Sequence, residues 1–155
     1  MKVSLKAITP ANFRECVNLK VAENQAAWVA PNVYSLAQAY TNGKLTPLAI
    51  YDGEALARDP RPDDRMVGFV MYQVWDEVGF IMRLMVGEEF QGNGYGRAAT
   101  VEVIRRLRLV PEVRLIATSV IPENEAATKL YESLGFVDNK WPPEDPAGER
   151  YLMLE

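Results

Sequence analysis

Residues 88–107 read EEFQGNGYGRAATVEVIRRL. After the close-set glycines Gly92, Gly94 and Gly96 the spacing is that of a helix: Ala99, Val103 and Leu107 share one face with Ile104 beside them, while Arg97, Arg105 and Arg106 lie elsewhere. An amphipathic helix of this kind packs its apolar face on a sheet. Before the glycines, GFIMRLMV (79–86) is nearly all apolar, the pattern of a strand covered on both faces and so central in its sheet. Strand, short acidic segment, Gln91-Gly92-Asn93-Gly94-Tyr95-Gly96 and helix, in that order, present several backbone N–H groups at a helix N-terminus with little side chain in the way. The positive end of the helix dipole points to the same place, so the turn suits an anion, phosphate first. A plain tight connection between strand and helix is the alternative. Two familiar phosphate motifs do not fit: no Lys-Ser or Lys-Thr pair follows the glycines, and GNGYG departs from G-x-G-x-x-G.

The full chain of 155 residues, 48% hydrophobic, is long enough for one well-cored domain, 1–155, and short for two. A net charge of −4 argues against a nucleic-acid partner and suits a cationic substrate. The absence of histidine removes a Ser-His-Asp triad, a Cys-His dyad and the usual imidazole ligands of zinc, and no metal is expected. Cys16 has no cysteine partner and reads as a small buried hydrophobe. The N-terminal MKVSLKAITPANF lacks the apolar core of an export signal, and no apolar run approaches the length of a membrane span. The expected location is the cytoplasm, with no membrane contact.

Outward from the glycine turn the elements follow in sequence. Val3, Leu5 and Ala7 alternate with polar residues as in a half-buried strand. Thr9-Pro10 reads as the N-cap and first position of a helix that carries Phe13, Cys16 and Val17 and runs to about Trp28. Pro31 breaks it, and a second helix ends at Asn42-Gly43. TPLAIY and MVGFVMYQVW read as strands joined by the exposed loop DGEALARDPRPDDR. A turn at Asp76-Glu77 leads into the central strand. Pro111 stops the helix after the glycines, VRLIATSV is a further strand, and Pro122-Glu123-Asn124 opens the helix EAATKLYESLG, closed by Gly135. FV and RYLMLE, on either side of the loop DNKWPPEDPAGE, complete an order β-α-α-β-β-β-α-β-α-β-β, which predicts an α/β or α+β sandwich around a mixed sheet.

QGNGYG and PENEAATKLYESLGF together resemble the GCN5-related N-acetyltransferase (GNAT) superfamily, in which a Q/R-x-x-G-x-G/A turn is followed by N-x-x-A-x-x-x-Y-x-x-x-G-F. Here the first motif runs from Gln91 to Gly96 and the second through Asn124, Ala127, Tyr131, Gly135 and Phe136. The resemblance implies the GNAT fold, a mixed, mostly antiparallel central sheet of about seven strands flanked by about four helices. It implies acetyl-coenzyme A (acetyl-CoA) as cosubstrate, a small-molecule amine as partner, and a homodimer. By the same resemblance the amides of Gly92, Asn93, Gly94, Tyr95, Gly96 and Arg97 would hold the pyrophosphate, with Gln91 at the head of the turn also binding the cofactor. The backbone of Leu84, Met85 and Val86 would pair with the pantetheine arm, and Asn124 would bond that arm from the other side. Tyr131 would protonate the departing thiolate as general acid. The amine would attack the acetyl carbonyl directly, with the oxyanion held by a backbone amide of the strand ending at Val86. Many members carry a Glu on the strand before the turn, and GFIMRLMV has none. Glu23, Asp76, Glu77 and Glu88 are the candidates to take the proton from the amine.

NQAAWVAPNVYSLAQAY, RLMV and GERYLMLE further resemble bacterial spermine/spermidine acetyltransferases, which implies a polyamine such as spermidine or spermine as acceptor. A site for several ammonium groups combines carboxylates with aromatic faces, and Glu23, Trp28, Tyr34, Trp75, Asp76, Glu77 and Glu88 offer both. Those relatives commonly place an acidic residue after the strand, where this chain has Gly87, then Glu88 and Glu89. Another amine, such as an aminoglycoside, an amino acid or a protein N-terminus, is the alternative acceptor. A non-catalytic acyl-CoA-binding module is the alternative outside the enzymes.

Overall fold

The computed structural model describes residues 2–53, 58–139 and 148–155. Its strands are β1 Val3–Ala7, β2 Leu45–Asp52, β3 Met66–Trp75, β4 Val78–Val86, β5 Leu115–Val120, β6 Val137–Asn139 and β7 Arg150–Leu154. They form one sheet in the order β1-β2-β3-β4-β5-β7-β6, antiparallel throughout except where β4 meets β5. The α-helices are α1 Phe13–Asn18, α2 Asn32–Thr41, α3 Tyr95–Arg108 and α4 Glu125–Ser133. This is the mixed, mostly antiparallel α/β arrangement expected from the sequence, with the strand before the glycines fourth of seven in the sheet. The loops expected at 52–65 and 138–149 lie partly outside the described residues.

Because alternate side chains of a strand point to opposite faces, the sheet feeds two cores. Leu48 and Ile50 of β2, Val67 and Val70 of β3 and Ile81 of β4 meet Ala99, Val103 and Leu107 of α3 and Tyr131 of α4 on one face. Ala49 and Tyr51 of β2, Met66, Phe69 and Met71 of β3 and Met85 of β4 meet Cys16 of α1 and Leu36 and Ala39 of α2 on the other. Cys16 is fully buried, which pushes its thiol up to about 12, as an inert packing residue requires.

The parallel pair does not run the length of its strands. β4 and β5 are matched from Val78↔Leu115 to Ile81↔Thr118 and no further. Met82 is an extra residue in β4, opposite the step from Met71 to Tyr72 in β3, and a bulge of this kind bends the strand that carries it. Beyond it β4 stays with β3 as far as Val86↔Gly68, while β5 follows β7 to Val120↔Arg150. The two halves of the sheet part there.

The first helix is shorter than expected and begins later. Asn12, not Thr9, is its N-cap, because the Asn12 side chain accepts from the Thr9 amide at 2.8 Å and donates to Ala7 O and Tyr51 Oη, which closes a turn over 9–12. The helix stops at Asn18 rather than near Trp28. Leu19 turns extended and packs where a Cβ on Gly87 would stand 2.6 Å from its Cδ1, and Lys20 O accepts from the Glu88 amide at 2.9 Å. A short 3-10 turn, Glu23–Gln25, replaces the expected helical continuation.

Gly68 lets β3 approach the end of β4, since a Cβ there would collide with the Met85 carbonyl oxygen and lie 3.1 Å from Ile50 Cδ1. Gly68→Ala should therefore lower unfolding stability by about 1–3 kcal/mol in urea titration, the usual cost of overpacking. An unchanged midpoint would contradict this packing.

Candidate active site

The glycine turn begins where β4 ends. A 3-10 turn, Glu88–Phe90, leads to Gly92 and Gly94, whose φ angles of +77° and +87° lie in the left-handed region that favours glycine. Gly94 is the N-cap residue of α3, and its carbonyl accepts the Ala98 amide at 3.1 Å. Tyr95, Gly96 and Arg97 form the first turn of that helix, so their amides have no acceptor within it and point out from its positive end. Asn93 Nδ2 donates back to Phe90 O and Gln91 O at 3.0 and 3.1 Å, which holds the turn's shape. The Gln91 side chain is engaged inside the protein: Nε2 donates to Val86 O at 3.0 Å and to Gln25 Oε1 at 2.8 Å, and Oε1 accepts from Gln25 Nε2 at 3.1 Å.

Helix α4 is framed at both ends by its sequence motif. Asn124 Oδ1 accepts from the Ala127 amide at 3.2 Å and caps the N-terminus. Gly135, at φ +95°, and Phe136 close the other end: their amides donate to Glu132 O at 3.0 Å and Tyr131 O at 3.1 Å, the paired bonds of a Schellman motif. The carbonyl of Tyr131 is thereby fixed, and its ring meets Phe136 edge-on at 5.2 Å. Only 4% of Tyr131 is exposed. Burial pushes its phenol up to about 12, against a smaller downward pull from the Thr118 hydroxyl. Thr118 in turn donates to Ile81 O at 3.0 Å, where β4 and β5 part.

A cleft of about 940 Å³ occupies the opening between the two halves of the sheet. It brings together Leu84, Met85, Val86, Gln91, Gly92, Gly94, Tyr95, Gly96, Arg97, Asn124, Tyr131 and Trp28 from the residues singled out in the sequence. Asn93 is exposed on the turn and does not line it. Glu23 and Glu88 are exposed and do not line it, and Tyr34 of α2, 55% exposed and also outside the lining, stands within electrostatic reach of the cleft residue Arg83. Trp75, Asp76 and Glu77 are placed elsewhere: they form the hairpin at the opposite end of β4, Trp75 is 60% exposed, and Glu77 Oε1 accepts from Arg114 Nε at 3.1 Å. The structure thus separates these three from the residues that face the cleft.

Further residues line the cleft without a motif to mark them. Arg83 is half-buried there, with Nη2 donating to Gln38 Oε1 and Nη1 to Met82 O, both at 3.1 Å, and burial lowers its pKa. Glu149 is the carboxylate in the lining among the described residues, and Phe80 and Tyr151 stack obliquely at 6.4 Å. Thr118 and Ser119, the two polar residues of the otherwise apolar β5, carried a readable signal; Gln25 did not, because its partner is 66 residues away.

The parts form a track: amides for an anion at one end, an open strand edge along the middle, and a buried, protonated phenol beside it. That is the architecture of a transferase for groups carried on a long phosphorylated thiol. The acetyltransferase (GNAT) family model matches residues 13–136, and the chain belongs to that family; it is an N-acetyltransferase with acetyl-CoA as cosubstrate. It is 25% identical over 164 residues to the spermine/spermidine N(1)-acetyltransferase of Bacillus subtilis (strain 168), covering 100% of this chain and 99% of the relative. The crystal structure of spermidine N-acetyltransferase from Vibrio cholerae in complex with CoA and spermine matches at TM-score 0.72 and 16% identity, over 99% of this chain and 95% of that one. Aminoglycoside acetyltransferase AAC(6')-Ib in complex with coenzyme A matches at TM-score 0.73 and 17% identity, over 99% and 94%. At these identities the two structures share the fold.

A Cβ on Gly96 would rest 3.7 Å from Leu130 Cδ2 and 3.8 Å from Val86 Cγ2, ordinary contacts in the opening between β4 and α4. Gly96→Val should leave the melting temperature within a few degrees and weaken CoA binding by about tenfold or more in calorimetry, because the branched side chain fills the track. Equal affinity would count against the track.

Proposed function

We propose that the protein transfers the acetyl group of acetyl-CoA to a primary amine of a small molecule, with a polyamine such as spermidine or spermine as the first candidate. The observation that carries the reading is the parting of β4 and β5 directly ahead of the α3 N-terminus, with Tyr131 facing the opening. Amides of Tyr95, Gly96 and Arg97 hold the pyrophosphate, and the edge of β4 over Leu84, Met85 and Val86 that faces away from β3, where Gln91 Nε2 already holds Val86 O, aligns the pantetheine amides. Asn124 uses its oxygen as a helix cap, which leaves its Nδ2 group to donate to the same arm. Bound acetyl-CoA supplies an acetyl group already activated as a thioester. Burial keeps the proton on Tyr131 at neutral pH, so its phenol can donate to the sulfur as it leaves. Glu149, in the cleft wall, is assigned to accept the amine's proton, directly or through water. The polyamine acceptor is supported by the full-length likeness to the Bacillus enzyme and by Trp28 and Glu149, an aromatic face and a carboxylate on one cleft.

Arg83 favours a second reading. A half-buried cation beside the acceptor path works against a polycation and suits an amine that also carries a carboxylate. Release of free CoA thiol, followed across spermidine, spermine, aminoglycosides and the pairs lysine/cadaverine and ornithine/putrescine, separates the two. The polyamine reading expects the highest kcat/KM with spermidine or spermine; preference for lysine over cadaverine would replace it with the second, and no turnover at all would leave a binding module.

Tyr131→Phe should lower kcat by roughly 10²-fold with CoA affinity nearly unchanged, the low end of general-acid contributions. In the wild type the general acid must be protonated, and a phenol raised to about 12 stays so throughout the working range. The pH–kcat/KM profile should therefore rise as the amine loses its proton and show no alkaline fall below about pH 11. Unaltered turnover in Tyr131→Phe would remove the role.

A further inference from the structure

Two of the parts that line the cleft come from distant stretches of the chain. One is the glycine turn; the other is the segment 21–31, of which Val21, Gln25 and Trp28 are among the lining residues. That segment falls between α1 and α2 and holds only the 3-10 turn Glu23–Gln25 as regular structure. Its ends are held by Val21 and Val29, which pack against the core, and by the bond from the Glu88 amide to Lys20 O; between them the backbone bonds, Gln25 N to Ala22 O, Ala26 N to Glu23 O and Trp28 N to Gln25 O, are local.

The tie from the middle of the segment to the glycine turn comes from Gln25. Its carboxamide forms a reciprocal pair with that of Gln91, at 2.8 and 3.1 Å, across 66 residues of sequence. Gln25 Oε1 also accepts from the Ala22 amide at 3.1 Å, and Gln91 Nε2 also donates to Val86 O at 3.0 Å. One series of polar atoms therefore runs from the 21–31 segment through the turn to the last residue of β4. Both glutamines are half-buried, where losing one partner strands the other and costs more than the bond itself. In the glycine motif the Gln91 side chain is turned inward, as is that of Tyr95, and of the two it is Gln91 that reaches the 21–31 segment.

We propose that the Gln25–Gln91 pair sets the amine-side wall from the cofactor turn. Gln25 is a positioning residue: it acts through the place it gives Trp28 and its neighbours. Occupation of the turn steadies Gln91, and through the pair it steadies 21–31, so cofactor and amine sites are linked and the linkage is reciprocal. The term amine-side rests on the transferase reading above; the linkage between the turn and 21–31 does not.

The experiment keeps those two apart. Hydrogen–deuterium exchange is followed in wild type and Gln25→Ala, with and without CoA and with no amine present. In wild type CoA should slow exchange in both 91–97 and 21–31; in Gln25→Ala it should slow 91–97 alone. Gln25→Glu keeps the oxygens that accept from Gln91 and Ala22 and loses the donated bond, so it should fall between them, and it serves if the alanine variant does not fold. With spermidine as probe, Gln25→Ala should raise the amine KM about tenfold, the worth of one net hydrogen bond, with the Kd for CoA held within about twofold. Undiminished slowing of 21–31 in both variants would overturn the proposal. So would a Kd for CoA that weakens in step with the amine KM, the mark of a loosened fold. If wild type turns over no spermidine, the polyamine reading falls and the exchange data alone decide the role of the pair.

Discussion

The site depends on how briefly β4 and β5 stay together. Four matched residues, Val78 to Ile81 with Leu115 to Thr118, join the halves of the sheet, and Met82 then bends β4 away. Had the ladder run on, those backbone groups of β4 over Leu84 to Val86 that face away from β3 would be paired within the sheet and closed to any ligand. Because it stops, a strand that is central by position has a free edge for part of its length, and unpaired edge groups take up a partner of peptide-like shape. The start of α3, the Thr118 hydroxyl and Tyr131 are all arranged around that opening.

The same constraint places the charges. A helix start of three free amides and an exposed Arg97 offer positive potential at the turn, while the deep part of the cleft near Tyr131 is dry enough to hold a phenol above its usual range. The amides of the helix start and the phenol of Tyr131 thus occupy separate parts of one cleft. Arg83 and Glu149, of opposite sign, share the cleft wall, so its field is mixed and not uniformly acidic.

Much of this was legible in the sequence. The period of α3, the apolar run of β4 and the Asn124-to-Phe136 spacing each encode a local physical event: a buried stripe, a strand covered on both faces, a cap and a Schellman closure. Long-range contacts were not legible. Helix α1 ends at Asn18 because Leu19 packs against Gly87, far along the chain, and the glycine that stood out as a missing acid is the space that Leu19 fills. Trp75, Asp76 and Glu77 have the residue types of an amine site but stand at the end of β4 away from the glycine turn. Nine residues of β4 separate the hairpin from the glycine turn, a span of roughly 25–30 Å, and that length was available in the sequence. Gln91 read as a ligand contact because its motif does; its partners Gln25 and Val86 appear only once the chain is folded.

The central claim is that one continuous track, from the α3 N-terminus along the free edge of β4, holds the cofactor. It is tested most directly by titrating CoA into isotope-labelled protein and following every backbone amide by NMR. The account requires the amides of 84–86 and of 95–97 to move together with one saturation curve, while those of the 75–77 hairpin stay still. Movement centred away from these two stretches, or two stretches that saturate independently, would contradict it.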